Sequence, residues 1–526
     1  MQEVDLHHIV EIGLFLLMIA AGITAIAKKF NKPYSIALVV VGAVIGLSNI
    51  SILEPLTDFI TEGEVFNFVI ITLFLPALLG EAAIKLPFSR LNENKTPILT
   101  LAFGGTFLSF LVVGFLSLWL LDFPVPAAFV FAAVMSATDP VSVLSIFKGL
   151  GVNKKLSTII EGESLFNDGL AVVLFNISAF SLLAYLDMGL GGVGMGIWEF
   201  IKVITLGILV GGVLGFGFSR LTRYFDDYPL EIIFSIILFY GAFLLAEALD
   251  ASGVIAVVVG ALVFGNYGGK IGMSPTTKLN INNFWDVAAL LANSLVFLMV
   301  GLEIARIDVH EKWGLIFLAI GIVLISRIVA VYLSLAFVKG IPSSWQHVFN
   351  WGGLRGSLSI ALVLSLPRDF PAREDILIVA FSVVLFSLLV QGLTIKTLLT
   401  KLGIISQQEG NMEYEKVIAD AYQYETAIQE IERVKKNLFI PESVSNEVAE
   451  VYKRKLEQLH KQSNELLLKY PELKEDQQLT LKKYALYARY EAIESLLKSD
   501  VISSETGGRE KEAITKELVE LEDAAE

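Results

Sequence analysis

Residues 136–147 read "SATDPVSVLSIF" and sit inside the longer apolar run "VPAAFVFAAVMSATDPVSVLSIF" of residues 125–147. An aspartate at the centre of a membrane-length helix costs about 2.5–3.5 kcal/mol on insertion scales. Pro140, next to Asp139, removes a backbone donor and strands the carbonyl of Ser136, four residues back. Two penalties at one place mark a site, a span that breaks near its middle around Thr138 and Asp139.

The next run carries a second set of polar groups. "LSTIIEGESLFNDGLAVVLF" (156–175) holds Glu161, Glu163, Asn167 and Asp168. At the helical rise, Asp168 lies roughly 18 Å from Leu156, near the middle of a bilayer core. Ser164 and Asp168 are four apart and share a face, and Glu163 and Asn167 form a second such pair. Carboxylate, hydroxyl and amide oxygens at one depth form a donor set for a hard cation such as Na⁺. Far downstream, "NWGGLRGSLSIAL" (350–362) sets Gly352, Gly353 and Gly356 around Arg355, a stretch that tolerates unwound backbone.

The two interrupted runs are the fifth and twelfth apolar segments. In a chain of two inverted six-helix halves joined by a seventh helix, they occupy equivalent places. Paired interrupted spans are a pointer to a transporter site. If they cross at the midplane, four half-helix ends meet, each carrying roughly half a charge. Asp139 then suits the positive N-terminal ends and Arg355 the negative C-terminal ends, which leaves Asp168 for the transported ion. Thr138 at the break offers both hydroxyl and carbonyl. Glu163 either touches the ion or pairs with Arg327, in "LISRIVAVY" (324–332), or with Arg355. Glu81, in "LFLPALLGEAAIKL" (73–86), lines an access funnel or faces water. Glu247, Asp286 and Glu303 fall near helix ends, where interfacial placement explains them.

Composition supports this reading. The 526 residues are 54% hydrophobic and only 18% charged, with mean hydropathy +0.66, against about 25% charged in soluble chains. Spans of about 17–25 residues are expected near 9–27, 34–53, 66–84, 97–121, 125–147, 156–185, 195–221, 230–249, 252–266, 279–304, 313–338, 344–366 and 375–402. The first run follows the acidic "MQEVDLHH" and reads as a retained helix rather than a cleaved signal. Alternate loops carry Lys28, Lys29, Lys32, Lys85, Arg90, Lys95, Lys148, Lys154, Lys155, Arg220, Arg223, Lys270, Lys278 and Lys339; the intervening loops carry Arg306, Lys312, Arg368 and Arg373. That bias places the N-terminus outside and the C-terminus in the cytoplasm.

With no cysteine, disulfides, zinc–thiolate sites and thiol catalysis are excluded. The histidines His7, His8, His310, His347 and His460 show no metal-ligand spacing, so neither an enzyme nor a resident cofactor is expected. From Ser406 onward 26 acidic residues oppose 17 basic ones, a balance that argues against nucleic-acid binding. Helical periodicity replaces apolar runs there, punctuated by Pro441, Pro471 and "TGG" at 506–508. The expected division is a membrane domain, 1–403, and a cytoplasmic helical regulatory domain, 404–526.

"SATDPVSVLSIFKGLGVNKKLSTIIEGESLFNDGLAVVLF", "SGVIAVVVGALVFGN", "NSLVFLMVGL", "WGGLRGSLSIALVLSLP" and "VLFSLLVQGLT" together resemble the monovalent cation:proton antiporter family, sodium/proton exchanger branch. The similarity runs in order through about residues 9–402 and does not cover the tail. It implies an all-α polytopic fold of 13 spans with crossed discontinuous helices, a homodimer in the cell membrane, and a six-helix core that shifts to alternate access. It further implies that Asn167-Asp168 marks the electroneutral type. The family's ion ligands fall on Thr138, Ser164 and Asp168 with Glu163 assisting, and its helix-crossing residues on Asp139 and Arg355. Na⁺ or Li⁺ exchanged for H⁺ is the implied activity; a K⁺/H⁺ antiporter shares these motifs. A channel would need a continuous pore, and a sensor that signals through the tail is a further alternative.

Overall fold

The computed structural model describes residues 6–30, 33–47, 68–225, 227–304, 312–405, 408–499 and 501–525. Residues 48–53 and 66–67 of the second and third runs, the loop charges Lys32 and Arg306, His310, and the side chains of His7 and His8 lie outside these.

Apolar runs with no competing polar partner close their backbone hydrogen bonds within one helix, the only local way to satisfy them in lipid. The described runs do so as α1 (Leu6–Lys29), α2 (Tyr34–Leu47) and α3, which opens as a wide π-turn (Phe68–Phe74) and continues over Leu75–Lys85. Then follow α4 (Lys95–Leu120) and α6 (Lys154–Asp187), α7 (Leu190–Thr222) and α8 (Tyr228–Ala248). Next come α9 (Gly253–Ile271), α10 (Pro275–Ile304), α11 (Trp313–Leu335) and α13 (Arg373–Lys401). Eight helices among the described residues are long and apolar enough to cross a membrane. The fifth and twelfth runs are each split, into α5a (Val125–Val134) and α5b (Val141–Leu150), and into α12a (Ser343–Gly352) and α12b (Ser357–Leu364).

The helices sort into two bundles. One holds α4, α5, α6, α11, α12 and α13, packed on one another; the other holds α1, α2, α3, α7, α8, α9 and α10. An inverted equivalence of helices 1–6 with 8–13 maps the packed pair α2–α10 onto α9–α3, and both pairs are present. Glycine permits the closest crossings. A Cβ on Gly42 of α2 would lie 2.4 Å from the carbonyl of Leu298 in α10, and one on Gly301 would lie 2.3 Å from that of Val39. Gly207, Gly211 and Gly215 of α7 approach the carbonyls of Ser252, Ala256 and Gly260 in the same way.

The chain divides into two compact units at Leu402/Gly403. The second consists of α14 (Gln408–Leu438), α15 (Glu442–Lys469), α16 (Pro471–Lys498) and α17 (Ser504–Ala525), paired as two hairpins. Tyr414, Val417 and Leu466 form the core of the first hairpin, and Leu486, Ile514 and Leu518 that of the second. Pro441 and Pro471 stand at helix starts, where a missing N–H costs nothing. The "TGG" stretch does not separate segments: it lies in the first turns of α17. Ser503 Oγ accepts from Thr506 N at 3.2 Å and starts the helix, and Gly507 leaves room for Leu497.

Candidate ion-binding site

Breaking two spans exposes four sets of backbone ends, and each set meets a specific partner. α5a ends at Val134 because the following residues supply polar groups instead of a continuing helix. Ser359 Oγ of α12b donates to the Val134 carbonyl at 2.9 Å, and Arg355 Nη1 donates to the Ala137 carbonyl at 2.8 Å. At the opposite end, Asp139 Oδ1 accepts from Val141 N at 2.9 Å, closing the first turn of α5b. The other face of Asp139 packs on Gly356, directly ahead of α12b; a Cβ there would lie 2.2 Å from Oδ2. The backbones bond where they cross, Asp139 N to the Leu354 carbonyl at 2.8 Å.

The C-terminal end of α12a is served by Arg327 of α11. Its Nη2 donates to the Phe349 carbonyl at 2.9 Å, and Nη1 and Nη2 hold Glu163 Oε1 and Oε2 at 2.6 and 3.2 Å. The sequence left Glu163 open between Arg327, Arg355 and the ion; in the structure both its oxygens are on Arg327, and the pair is buried. Gly353 makes room for the guanidinium, since a Cβ there would lie 2.5 Å from Arg327 Nε. Sequence reasoning missed Ser359 and Ser387. Ser387 Oγ of α13 accepts from Arg355 N at 3.0 Å and so fixes the unwound segment. Its only signal was position: α13 is the inverted counterpart of α6, which carries the other polar cluster.

Thr138 sits where α5 is unwound. Its carbonyl accepts from Ser164 Oγ, and its hydroxyl accepts from Asn167 Nδ2 at 2.7 Å. These three side chains are buried. Asp168 follows on the Ser164 face of α6, is half-buried, and lies within electrostatic reach of Asp139. Among the described residues it makes no hydrogen bond or ion pair. The structure thus places Thr138, Ser164 and Asn167 in one network with Asp168 beside it, and assigns Asp139, Arg355, Arg327 and Glu163 to the crossing. Glu81 is elsewhere, near the end of α3: it pairs with Lys85 at 2.6 Å, and Lys85 also binds Asp286 of α10.

One turn beyond Asp168, Val172 lines a cavity of about 780 Å³ between the two bundles. Phe175 and Asn176 of α6, Phe243 and Glu247 of α8, and Leu362 of α12b form much of its wall.

An all-helical membrane fold with two crossed, interrupted spans, and beside the crossing a carboxylate that has no partner among the described residues, defines a secondary transporter. The chain belongs to the sodium/hydrogen exchanger family, whose transmembrane model matches residues 13–401. It is 69% identical over 522 residues to the Na(+)/H(+) antiporter NhaG of Bacillus atrophaeus, covering 99% of both chains. It is 57% identical to the Na(+)/H(+) antiporter NhaH of Halobacillus dabanensis over 74% of this chain and 97% of that one. About a quarter of the present chain therefore has no counterpart in the second relative. The fold matches the sodium proton antiporter MjNhaP1 from Methanocaldococcus jannaschii at pH 8, with TM-score 0.63 and 23% identity over 75% of this chain and 98% of that one.

Proposed function

We propose that this protein exchanges Na⁺, or Li⁺, for H⁺ across the cell membrane, one for one, with both ions competing for Asp168. The observation that carries this reading is the inequality of the three acids around the crossing. Asp139 and Glu163 are committed to a helix end and to a guanidinium, while Asp168 has no partner among the described residues. A bare carboxylate in a low-dielectric site is costly and is relieved either by a proton or by a bound cation. Each ligand therefore expels the other. The Thr138 carbonyl and hydroxyl and the Ser164 hydroxyl supply further oxygen ligands on the same side of α6. When only the loaded, neutralised site crosses the membrane, one cation moves for one proton and no net charge is carried.

Thirteen spans with the N-terminus outside, a homodimer, and a regulatory role for residues 404–526 complete the proposal. The supporting facts are the loop charges, the apolar outer faces of α7 and α8, and the separate compact tail. Purified protein in proteoliposomes tests the central claim. Na⁺-driven proton flux is expected, with no change when the membrane potential is clamped, and with Li⁺ and K⁺ assayed beside it. Asp168→Asn is expected to abolish the flux while the protein remains folded and inserted. Normal exchange by that variant overturns the assignment.

A further inference from the structure

The two bundles meet differently on their two sides. On the side of the α8–α9 connection they are separated by the 780 Å³ cavity, lined by Glu247, Asp250 and Ser252 together with Ile71 of α3 and Ser365 beyond α12b. On the opposite side, which carries Lys28, Lys29, Lys148, Lys154 and Lys155, they are in contact. There α2 packs on α5b, and Ser35 Oγ and Ser142 Oγ form a hydrogen bond of 2.6 Å. Both serines are 1% exposed. Ile36 fills the space over Gly392 of α13, where a Cβ would lie 3.1 Å from Ile36 Cδ1. Tyr34, at the start of α2, lies within electrostatic reach of Asp139.

Much of the remaining seam is apolar. Leu16, Ile36, Val39 and Val296 of one bundle pack with Ile360, Phe381, Val384 and Leu388 of the other. Apolar contacts are non-directional and survive a slide. A buried hydroxyl pair does not: separating it leaves two polar groups without partners unless water enters. The geometry points to Ser35–Ser142 as the latch of a closed inner seam, in an arrangement whose cavity opens outward. The bond must break, and α5b must part from α2, each time Asp168 is presented to the cytoplasm. This inference rests on the exchanger reading above.

The natural absence of cysteine makes the latch directly testable. A Ser35→Cys/Ser142→Cys double variant is reconstituted, and the two thiols are bridged by an oxidant or by mercuric ion. Bridging is expected to form readily, to reduce Na⁺-driven proton flux to the level of protein-free vesicles, and to be reversed by dithiothreitol. Failure to bridge, or undiminished flux in bridged protein, overturns the latch. A second readout is independent of transport: a Glu247→Cys substitution added to the bridged protein is labelled by an impermeant maleimide from the outer side. Loss of that labelling on bridging also overturns it. Absence of Na⁺-driven flux in the parent chain counts instead against the exchanger reading, because bridging and labelling score the latch whatever ion is carried.

Discussion

The breaks in α5 and α12 solve the same problem with opposite chemistry. Each interrupts a span and leaves one C-terminal and one N-terminal helix end in a region without bulk water. The α5 break brings an acid, Asp139, which closes the start of α5b and packs against the start of α12b. The α12 break brings a base, Arg355, which reaches across to the end of α5a. The fourth end, that of α12a, is served by neither; Arg327 of α11 takes it and is itself neutralised by Glu163 of α6. The crossing is thus a closed set of two acids and two bases. Asp168, five residues beyond Glu163 on α6, stands outside that set, which is why the proposal above gives it the exchangeable ion.

The largest expected effects come from the two carboxylates of α6. Asp168→Asn should abolish transport and leave the thermal midpoint of detergent-solubilised protein nearly unchanged. Glu163→Gln should do the reverse first: it leaves Arg327 buried without its counter-charge, at a cost of about 3–5 kcal/mol. A fall in thermal midpoint and in folded yield measures that cost. Equal stability of the two variants would dissolve the distinction between structural and working carboxylates.

The two glycines at the crossing are expected to matter less. Gly356→Ala forces a methyl into Asp139, and Gly353→Ala forces one into Arg327; overpacking of this kind costs about 1–3 kcal/mol. Gly356→Ala should be the worse, because its clash reaches the Asp139 Cβ as well as the carboxylate, whereas the Arg327 side chain is long and can shift. Denaturation midpoints of the two variants provide the ranking.

The smallest effect lies in the tail, where Arg489 bonds Glu517 at 2.7 and 3.2 Å. That hydrogen bond holds the Glu517 carboxyl below its ordinary value. A carboxyl whose folded value is depressed contributes stability above its unfolded value, and loses it as pH falls through the folded one. Glu517→Gln should therefore slightly weaken amide protection in α17 at neutral pH, and the difference from the parent should vanish in acid. A difference that persists below the carboxylate range would assign the effect to packing. The pair is solvent-exposed, so its contribution is small. In the membrane unit the charge pairs hold an interrupted backbone together; here one pair merely trims a hairpin.

The positions of both breaks were legible because each is a local contradiction. A proline and an aspartate in "SATDPVSV", and three glycines around an arginine in "NWGGLRGS", conflict with the apolar periodicity on either side. The polar cluster of α6 was legible for the same reason. Partner choice was not. Glu163 and Arg327 are 164 residues apart, and two arginines were chemically equivalent candidates. The serines that secure the crossing, Ser359 and Ser387, carry no local signal, since serine is ordinary in membrane helices.

By itself the sequence determined a polytopic helical protein, two broken spans, and one carboxylate on α6 among oxygen-bearing side chains. Those properties follow from transfer energies and helix periodicity, which act along the chain over a few turns. Tertiary structure alone decided which acids are consumed at the crossing and which is left free. It also decided where glycine makes room for charge, and that the bundles touch on one side and part on the other. These depend on which distant helices pack together, a matter of pairwise distance and shape that no local stretch of sequence encodes.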